Sequence, residues 1–513
     1  MAFRERQITE AGLLWRIALW LLLAGFTLLY GMVFALSPVA AIAVWAVALL
    51  AFLAAQRLEW TALCLFLIVP LGRLTWLNDT GTLDLTKFFV LALAIGWVAS
   101  GLVRKDRRLA AVWTESPVTV LILLFLLVNI VSLLNVWDLR RSLLSLLRLF
   151  GLFGMYILIV ALVRTRRQVE IAVGFLLLTG LVVCLLGVWE SLTHQYLWHL
   201  LGQDRSLPPG LAGSSVATGG SPLALRIITV FIDYNFMGGY MAVLFGLVGG
   251  CAMATRRWRL RVGLAGLAVL VLYNAVHTGS RGGLMGLAVA TLMLLVLSRI
   301  RARWFVLALI AIVAIIVFPV ADHFVPQFRG GISLDALKQD QRWGYWQMAL
   351  QMVKDHPITG VGTDNFFSLY SWYRVSPALM ARYYCHNIYL QMWAECGLFG
   401  LLSILSLVSV VAVTYARAAN RTKDEAWRGI VVGLFAAFVG YATFAATCNT
   451  LHDQPLWMLM ALSVVVARVT REQKLGPPPA GEDDGDPSGP SLQAPAPGQE
   501  RHIRSPWLAN QAR

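Results

Sequence analysis

The sequence predicts an all-α polytopic integral membrane protein with about 14 transmembrane helices (12–14 by span length) and a large outer loop carrying amphipathic helices. Three observations lead there. Of 513 residues, 58% are hydrophobic and 13% charged, against about 45–50% and about 25% in soluble domains. With a mean hydropathy of +0.69 the chain lacks the polar surface to coat a water-soluble globule. Apolar stretches of bilayer length recur along the chain, and clusters of Lys and Arg follow every second one.

In order, the stretches lie roughly at 12–35, 38–55, 60–77, 87–103, 118–136, 143–163, 169–189, 236–254, 262–277, 282–298, 304–321, 387–415, 429–447 and 454–468. The first is too long for a signal peptide, lacks a small-residue cleavage site and is followed at once by another apolar segment. The basic clusters run from Arg4/Arg6 and Arg57 through Arg104–Arg108, Arg164–Arg167, Arg256–Arg261, Arg299–Arg303 and Arg417–Arg428 to Arg468–Lys474. The positive-inside rule makes these ends and both termini cytoplasmic. One miscounted helix would break the parity.

The formal charge of +15 would suggest nucleic acid in a soluble protein. Here 24 of the 42 basic residues fall in the cytoplasmic clusters and serve topology, so no nucleic-acid partner is expected. Six cysteines without paired or CxxC spacing indicate neither a disulfide framework nor a zinc site. Beyond residue 475 the composition turns to Pro, Gly and acidic residues, too polar to offset ordering entropy, which predicts a disordered cytoplasmic tail.

Two outer segments, 190–235 and 322–386, exceed ordinary connectors, and long connectors tend to carry function. The second keeps Arg329, Lys338, Arg342, Lys354, Arg374 and Arg382 against the prevailing charge bias, although its aspartates offset much of this and long loops translocate regardless of charge. Within it, 340–354 reads as an amphipathic helix on the outer membrane surface, with Trp343, Trp346, Ala349, Leu350 and Val353 as its apolar stripe. Arg342 falls in the first turn, which suits a cation only with an anion nearby; a solvated Arg beside Asp340 is the plainer alternative.

His277-Thr278-Gly279-Ser280-Arg281-Gly282-Gly283 joins two spans on the outer side. Ser280 or Thr278 can cap the following helix, and Arg281 can grip a phosphate there or snorkel to headgroups. His277 reads as structural. His386 precedes a span that Asn387 can cap; it can take a proton near neutral pH or serve structurally. Tyr389, and Asp233 with Asn235 at the outer start of another helix, carry the same ambiguity. No outer segment has an Asp-x-Asp pair, a His-x-x-x-His pair or a carboxylate cluster, so arginines would have to neutralise a phosphate-bearing ligand and no metal is expected. Arg148 and Asn129, polar within apolar stretches, have no assignment at this level. A transporter, for instance of an inorganic anion, is a competing class. It would place ionisable groups near the bilayer midplane, whereas here the notable polar groups lie at one face.

Ser280-Arg281-Gly282 before a span, Arg342 with Trp346, Ala349 and Pro357, Gly360-x-Gly362 with Phe366, and His386-Asn387-x-Tyr389-Leu390 with Glu395-x-Gly397-Leu398-x-Gly400 together resemble the bacterial O-antigen ligase and O-antigen polymerase family. Asp233-Tyr234-Asn235 resembles the Asp-Pro-Asn often found there, with Tyr in place of Pro. The match covers roughly 225–415 and divides the chain into N-terminal helices (1–224), a catalytic region (225–415), C-terminal helices (416–474) and the tail (475–513).

The resemblance implies a C-type glycosyltransferase of the bacterial inner membrane, without metal or other cofactor. Such enzymes move a glycan from undecaprenyl pyrophosphate to an acceptor hydroxyl, on lipid A-core or a similar acceptor, at the periplasmic face. It implies Arg281 and Arg342 as pyrophosphate ligands, His386 as base or acceptor-positioning residue, and Ser280, Asp233, Asn235, Asn387 and Tyr389 in support. Membrane lipids, a lipid-linked glycan and a lipid or glycan acceptor are the expected partners, with a chain-length regulator or flippase beside them. A repeat-unit polymerase is the alternative within the family, and no residue decides between the two.

Overall fold

The computed structural model describes residues 58–70, 85–104, 116–197, 226–231, 233–298, 341–375 and 384–475. The expected spans at 12–35, 38–55 and 304–321, most of 198–235, the segment 299–340 and the tail lie outside the described residues. The chain divides into two compact units, Met1–Arg471 and Glu472–Arg513, and nearly all described structure belongs to the first.

All regular structure among the described residues is helical: α1 (Leu58–Ile68), α2 (Leu85–Arg104), α3 (Pro117–Val131), α4 (Leu139–Leu162), α5 (Arg166–Thr193), α6 (Tyr234–Ala254), α7 (Trp258–Thr278), α8 (Arg281–Leu297), α9 (Gln341–Asp355), α10 (Ile388–Arg421), α11 (Glu425–Phe444) and α12 (Gln454–Leu475). Seven of these, α3 to α7, α10 and α11, are long and apolar enough to cross a membrane. Each matches an expected span to within a few residues. The start signals are local: Ser116 caps α3 ahead of Pro117 at its first position, Thr165 and Gln168 form a capping box on α5, and Asp424 caps α11.

Water is not available between spans to drive their association, so close backbone approach has to do so. α6, α8 and α11 form the tightest group. A Cβ added to Gly250 of α6 would lie 2.3 Å from Cα of Gly433 on α11, and one on Gly283 of α8 would lie 2.6 Å from the carbonyl carbon of Gly238 on α6. α12 is buried along most of its length; Tyr415 of α10 donates to its Leu459 carbonyl at 2.6 Å, and Phe125 of α3 packs edge-on against its Trp457.

The helix ends sort into two layers. At one, the ends that carry basic clusters meet: Arg166 pairs with Glu170 and Asp424, Arg256 with Glu425, Arg428 donates to the Leu297 carbonyl, and Arg468 to the carbonyls of Val160 and Val163. At the other lie the α3–α4 turn, the starts of α6, α8 and α10, the α11–α12 turn and the segment 341–375. The candidate residues all belong to this second layer.

Candidate functional site

Two helix starts and one loop helix converge on a single amide oxygen. Asp233 caps α6, its Oδ1 accepting the Asn235 N–H at 2.6 Å, and Ser280 caps α8, its Oγ accepting the Gly283 N–H at 3.2 Å. Asn235 Oδ1 then accepts from the Ser280 hydroxyl at 3.1 Å and from Arg342 Nη2 at 3.0 Å. Close approach of Gly238 to Ser280, where a Cβ would lie 2.7 Å from the serine Cβ, lets the two starts sit this near. Arg281, the first residue of α8, extends from the same cluster and is exposed. The strand of chain leading to Asp233 is held from below: buried Glu190 accepts the N–H groups of Leu197, Ile228 and Thr229 at 2.9–3.0 Å, and Arg226 stacks over Tyr234 at 4.4 Å.

α9 links this cluster to His386. Tyr345, one turn after Arg342, is buried with its ring 5.9 Å from the His386 imidazole. The expected apolar stripe of this helix is rotated. Tyr345, Met348, Ala349, Met352 and Val353 are buried, while Trp343 and Leu350 are 42% and 44% exposed. The heptad-like spacing allowed either face, and the contact with α10 selected the one that also brings Arg342 to Asn235. Trp343 and Leu350 remain outward.

His386 itself has φ +55°, a left-handed conformation rare for a residue with a side chain. Its neighbours hold it there. Asn387 caps α10 by accepting the N–H groups of Tyr389 and Leu390, both at 3.0 Å, and the Tyr389 hydroxyl donates to the Ala442 carbonyl of α11 at 2.8 Å. Asn387 and Tyr389 are thus engaged in holding the start of α10.

The glycine motifs bind each other. The N–H groups of Val361 and Gly362 donate to the carbonyls of Ala394 and Glu395 at 3.0 and 2.8 Å, and that of Leu398 to the Pro357 carbonyl at 2.9 Å. The Glu395 carboxylate accepts the N–H groups of Asp364 (2.9 Å) and Phe366 (3.2 Å), and Gln391 Nε2 at 3.0 Å. Gly397, at φ +65° and ψ −161°, breaks the helical path of α10 so that this docking can occur. Behind the loop, Asn365 spans to Ser142 and to the N–H groups of Trp137 and Asp138, and Thr363 donates to Asn129 Oδ1 at 2.9 Å. That gives Asn129 a structural assignment. Arg141 Nε lies 3.2 Å from Asp364 Oδ2, and its guanidinium stacks on Phe367 at 4.0 Å. Burial nevertheless pushes the Asp364 carboxyl up to about 6, outweighing the Arg141 charge, and burial also raises the Tyr384 phenol.

A cavity of about 720 Å³ opens beside His386. Its polar lining includes Asp233, Tyr384, His386, Lys87, Arg148, His452 and Asp453, and its apolar lining includes residues of α2 and α4. Arg281 and Arg342 are not among its lining residues. His452 accepts or donates at 3.0 Å to the Ser145 hydroxyl and is held neutral, its pKa pushed down to about 3 chiefly by burial and then by Arg148.

The structure thus joins Asp233, Asn235, Ser280 and Arg342 in one hydrogen-bond network beside Arg281, and ties α9 to His386 through Tyr345. Reading along the chain missed Arg141, Lys87 and His452. The oddity of an arginine within an apolar stretch was the signal for Arg148; the others gave none. No curated protein was found to match the chain. Residues 266–405, which hold Arg281, Arg342 and His386, match the family model described as O-Antigen ligase. This part of the chain is similar to the O-antigen ligase family, the family that the sequence motifs resemble.

Proposed function

We propose that the protein is a periplasm-facing inner-membrane glycosyltransferase that moves a glycan from undecaprenyl pyrophosphate to an acceptor hydroxyl, as on lipid A-core, in surface polysaccharide synthesis. The observation that carries this reading is the Arg342–Asn235–Ser280 network. It fixes one cation beside a second, Arg281, at a helix start whose N–H groups favour an anion.

In the proposed reaction His386 takes the proton of the acceptor hydroxyl and the oxygen attacks the anomeric carbon. The bond from that carbon to the pyrophosphate oxygen breaks, and the leaving group carries away the electron pair. Arg281 and Arg342 stabilise the charge that grows on it. Electrostatic contacts of this kind each contribute about 3–4 kcal/mol to transition-state stabilisation. A single direct displacement inverts the anomeric configuration; a product of retained configuration would refute it.

The test uses purified protein in nanodiscs with a lipid-linked oligosaccharide. A single addition that requires a separate acceptor supports the ligase reading. A ladder of products from donor alone makes the protein a polymerase, and no transfer with either substrate overturns the proposal.

A further inference from the structure

The cavity beside His386 has walls of two kinds. Val90, Leu91 and Ala94 of α2 and Leu147, Gly151 and Met155 of α4 make an apolar slot, widened where Gly151 carries no side chain. Elsewhere the lining is polar and of mixed charge, with Lys87 near the start of α2 and Arg148 on α4 alongside the carboxylates of Asp233 and Asp453. An apolar slot with cations in its polar part can take an amphiphile whose head carries an anionic group.

Arg148 is the informative residue. Its Nε is buried and has no hydrogen-bond partner among the described residues, while the residue lines the cavity, so protein acceptors do not satisfy the whole guanidinium. Asp364 lies within electrostatic reach of Arg148 but is ion-paired with Arg141, while Asp453 accepts the Tyr441 hydroxyl at 2.7 Å and Asp233 the Asn235 N–H. His452, in the same wall, adds no charge near neutral pH.

The two arginines given to the donor pyrophosphate do not line this cavity, whereas the residue given the proton transfer does. Resting on the transfer proposed above, we infer that the cavity is the acceptor site. Arg148, helped by Lys87, binds a phosphate of an amphiphilic glycolipid whose apolar chain enters the slot between α2 and α4 and whose reacting hydroxyl lies at His386. Arg148 is on this account a specificity-determining residue for phosphorylated acceptors.

The experiment measures transfer in nanodiscs while donor and acceptor are varied separately, with a bis-phosphorylated lipid A-type glycolipid and its dephosphorylated twin as acceptors. Arg148→Gln raises the KM for the phosphorylated acceptor at least about tenfold, the range for one charge-assisted hydrogen bond. It leaves the KM for the donor and for the dephosphorylated acceptor within about twofold, inside the scatter of energetically neutral changes. Arg148→Lys recovers part of the loss. Gly151→Leu, at a position where a Cβ meets nothing within 4 Å, fills the slot without disturbing the helix and raises the KM for both acceptors. If Arg148→Gln does not fold, the lysine and leucine variants decide.

Native mass spectrometry of the donor-free protein with the same two glycolipids supplies a readout independent of turnover. Phosphate-dependent binding that is lost in Arg148→Gln but accompanied by no glycan transfer in the parent protein would sink the proposed function and leave only a phosphate-recognising glycolipid site at Arg148. Normal transfer with acceptor KM unchanged in the Arg148 and Gly151 variants overturns the acceptor site and leaves the function standing. A rise in donor KM instead also overturns it.

Discussion

Glu395 accepts the backbone N–H of Asp364 at 2.9 Å, and through this bond the helix that begins beside His386 holds the loop that follows α9. The same carboxylate takes the Phe366 N–H and the Gln391 amide, so one buried side chain satisfies three donors. Glu395→Ala leaves them unmatched in the interior, at about 1–3 kcal/mol for each orphaned group. Thermal unfolding in detergent should show a markedly lower Tm, together with loss of transfer, while Glu395→Gln keeps part of both. An alanine variant as stable as the parent would contradict the docking role.

The glycines that let the loop seat are constrained in both conformation and space. At Gly397 the backbone has φ +65° and a Cβ would lie 2.0 Å from the Ile358 carbonyl oxygen; at Gly360 φ is +70° and the clash is with the Glu395 carbonyl at 2.3 Å. Alanine at either position is expected to destabilise by about 2 kcal/mol or more. Gly266 of α7, where a Cβ meets nothing within 4 Å, accepts alanine without loss and gains up to about 1 kcal/mol of helix propensity. Chemical denaturation of the three variants should rank them in that order.

Neutralising Arg281, Arg342 or His386 singly should lower kcat/KM by about 10²–10³ while leaving the Tm within a few degrees. Asn235→Ala should behave like a weaker Arg342 variant, because it removes the shared acceptor of Arg342 and Ser280 without removing the charge. Normal transfer in all three charge variants would reject the site.

Acid sensitivity follows from His452. Its folded pKa of about 3 lies below the ordinary 6.5, so the unfolded chain takes up the proton first as pH falls. The stability it contributes is complete above about pH 6.5 and is lost as pH drops toward 3, at up to about 1.4 kcal/mol per pH unit. Tm measured from pH 7 down to pH 4 should fall more steeply in the parent than in His452→Gln, whose amide can keep the bond to Ser145. Equal acid slopes would contradict the assignment.

The spans, their caps and the sorting of basic helix ends were legible because each depends on a short stretch of chain. Of the two candidate caps for α8 it is Ser280 that serves, Asn387 caps α10 as expected, and Asp233 caps α6 as well as lining the cavity. The rotation of α9 was not legible, since Trp343 and Tyr345 offer comparable apolar area and only the surface of α10 chooses between them. Arg141 and Lys87 gave no signal for a related reason. A cation near a span end looks like any other until its partner, hundreds of residues away, is in place: Arg141 meets Asp364 and Tyr384 only in the folded chain.

The amino-acid sequence alone determined that this chain spans a membrane many times, which helix ends carry the basic clusters, and that Arg281, Arg342 and His386 belong to one family pattern. Hydropathy, charge bias and motif order are properties of the linear chain, and partition between lipid and water reads them directly. Only the tertiary structure decided that Asn235 joins Ser280 to Arg342, that Glu395 holds the loop of Gly360 and Gly362, and that Arg148 shares a cavity with His386. Those relations depend on interhelical packing and hydrogen bonds between residues 29 to more than 200 positions apart, which no local pattern encodes.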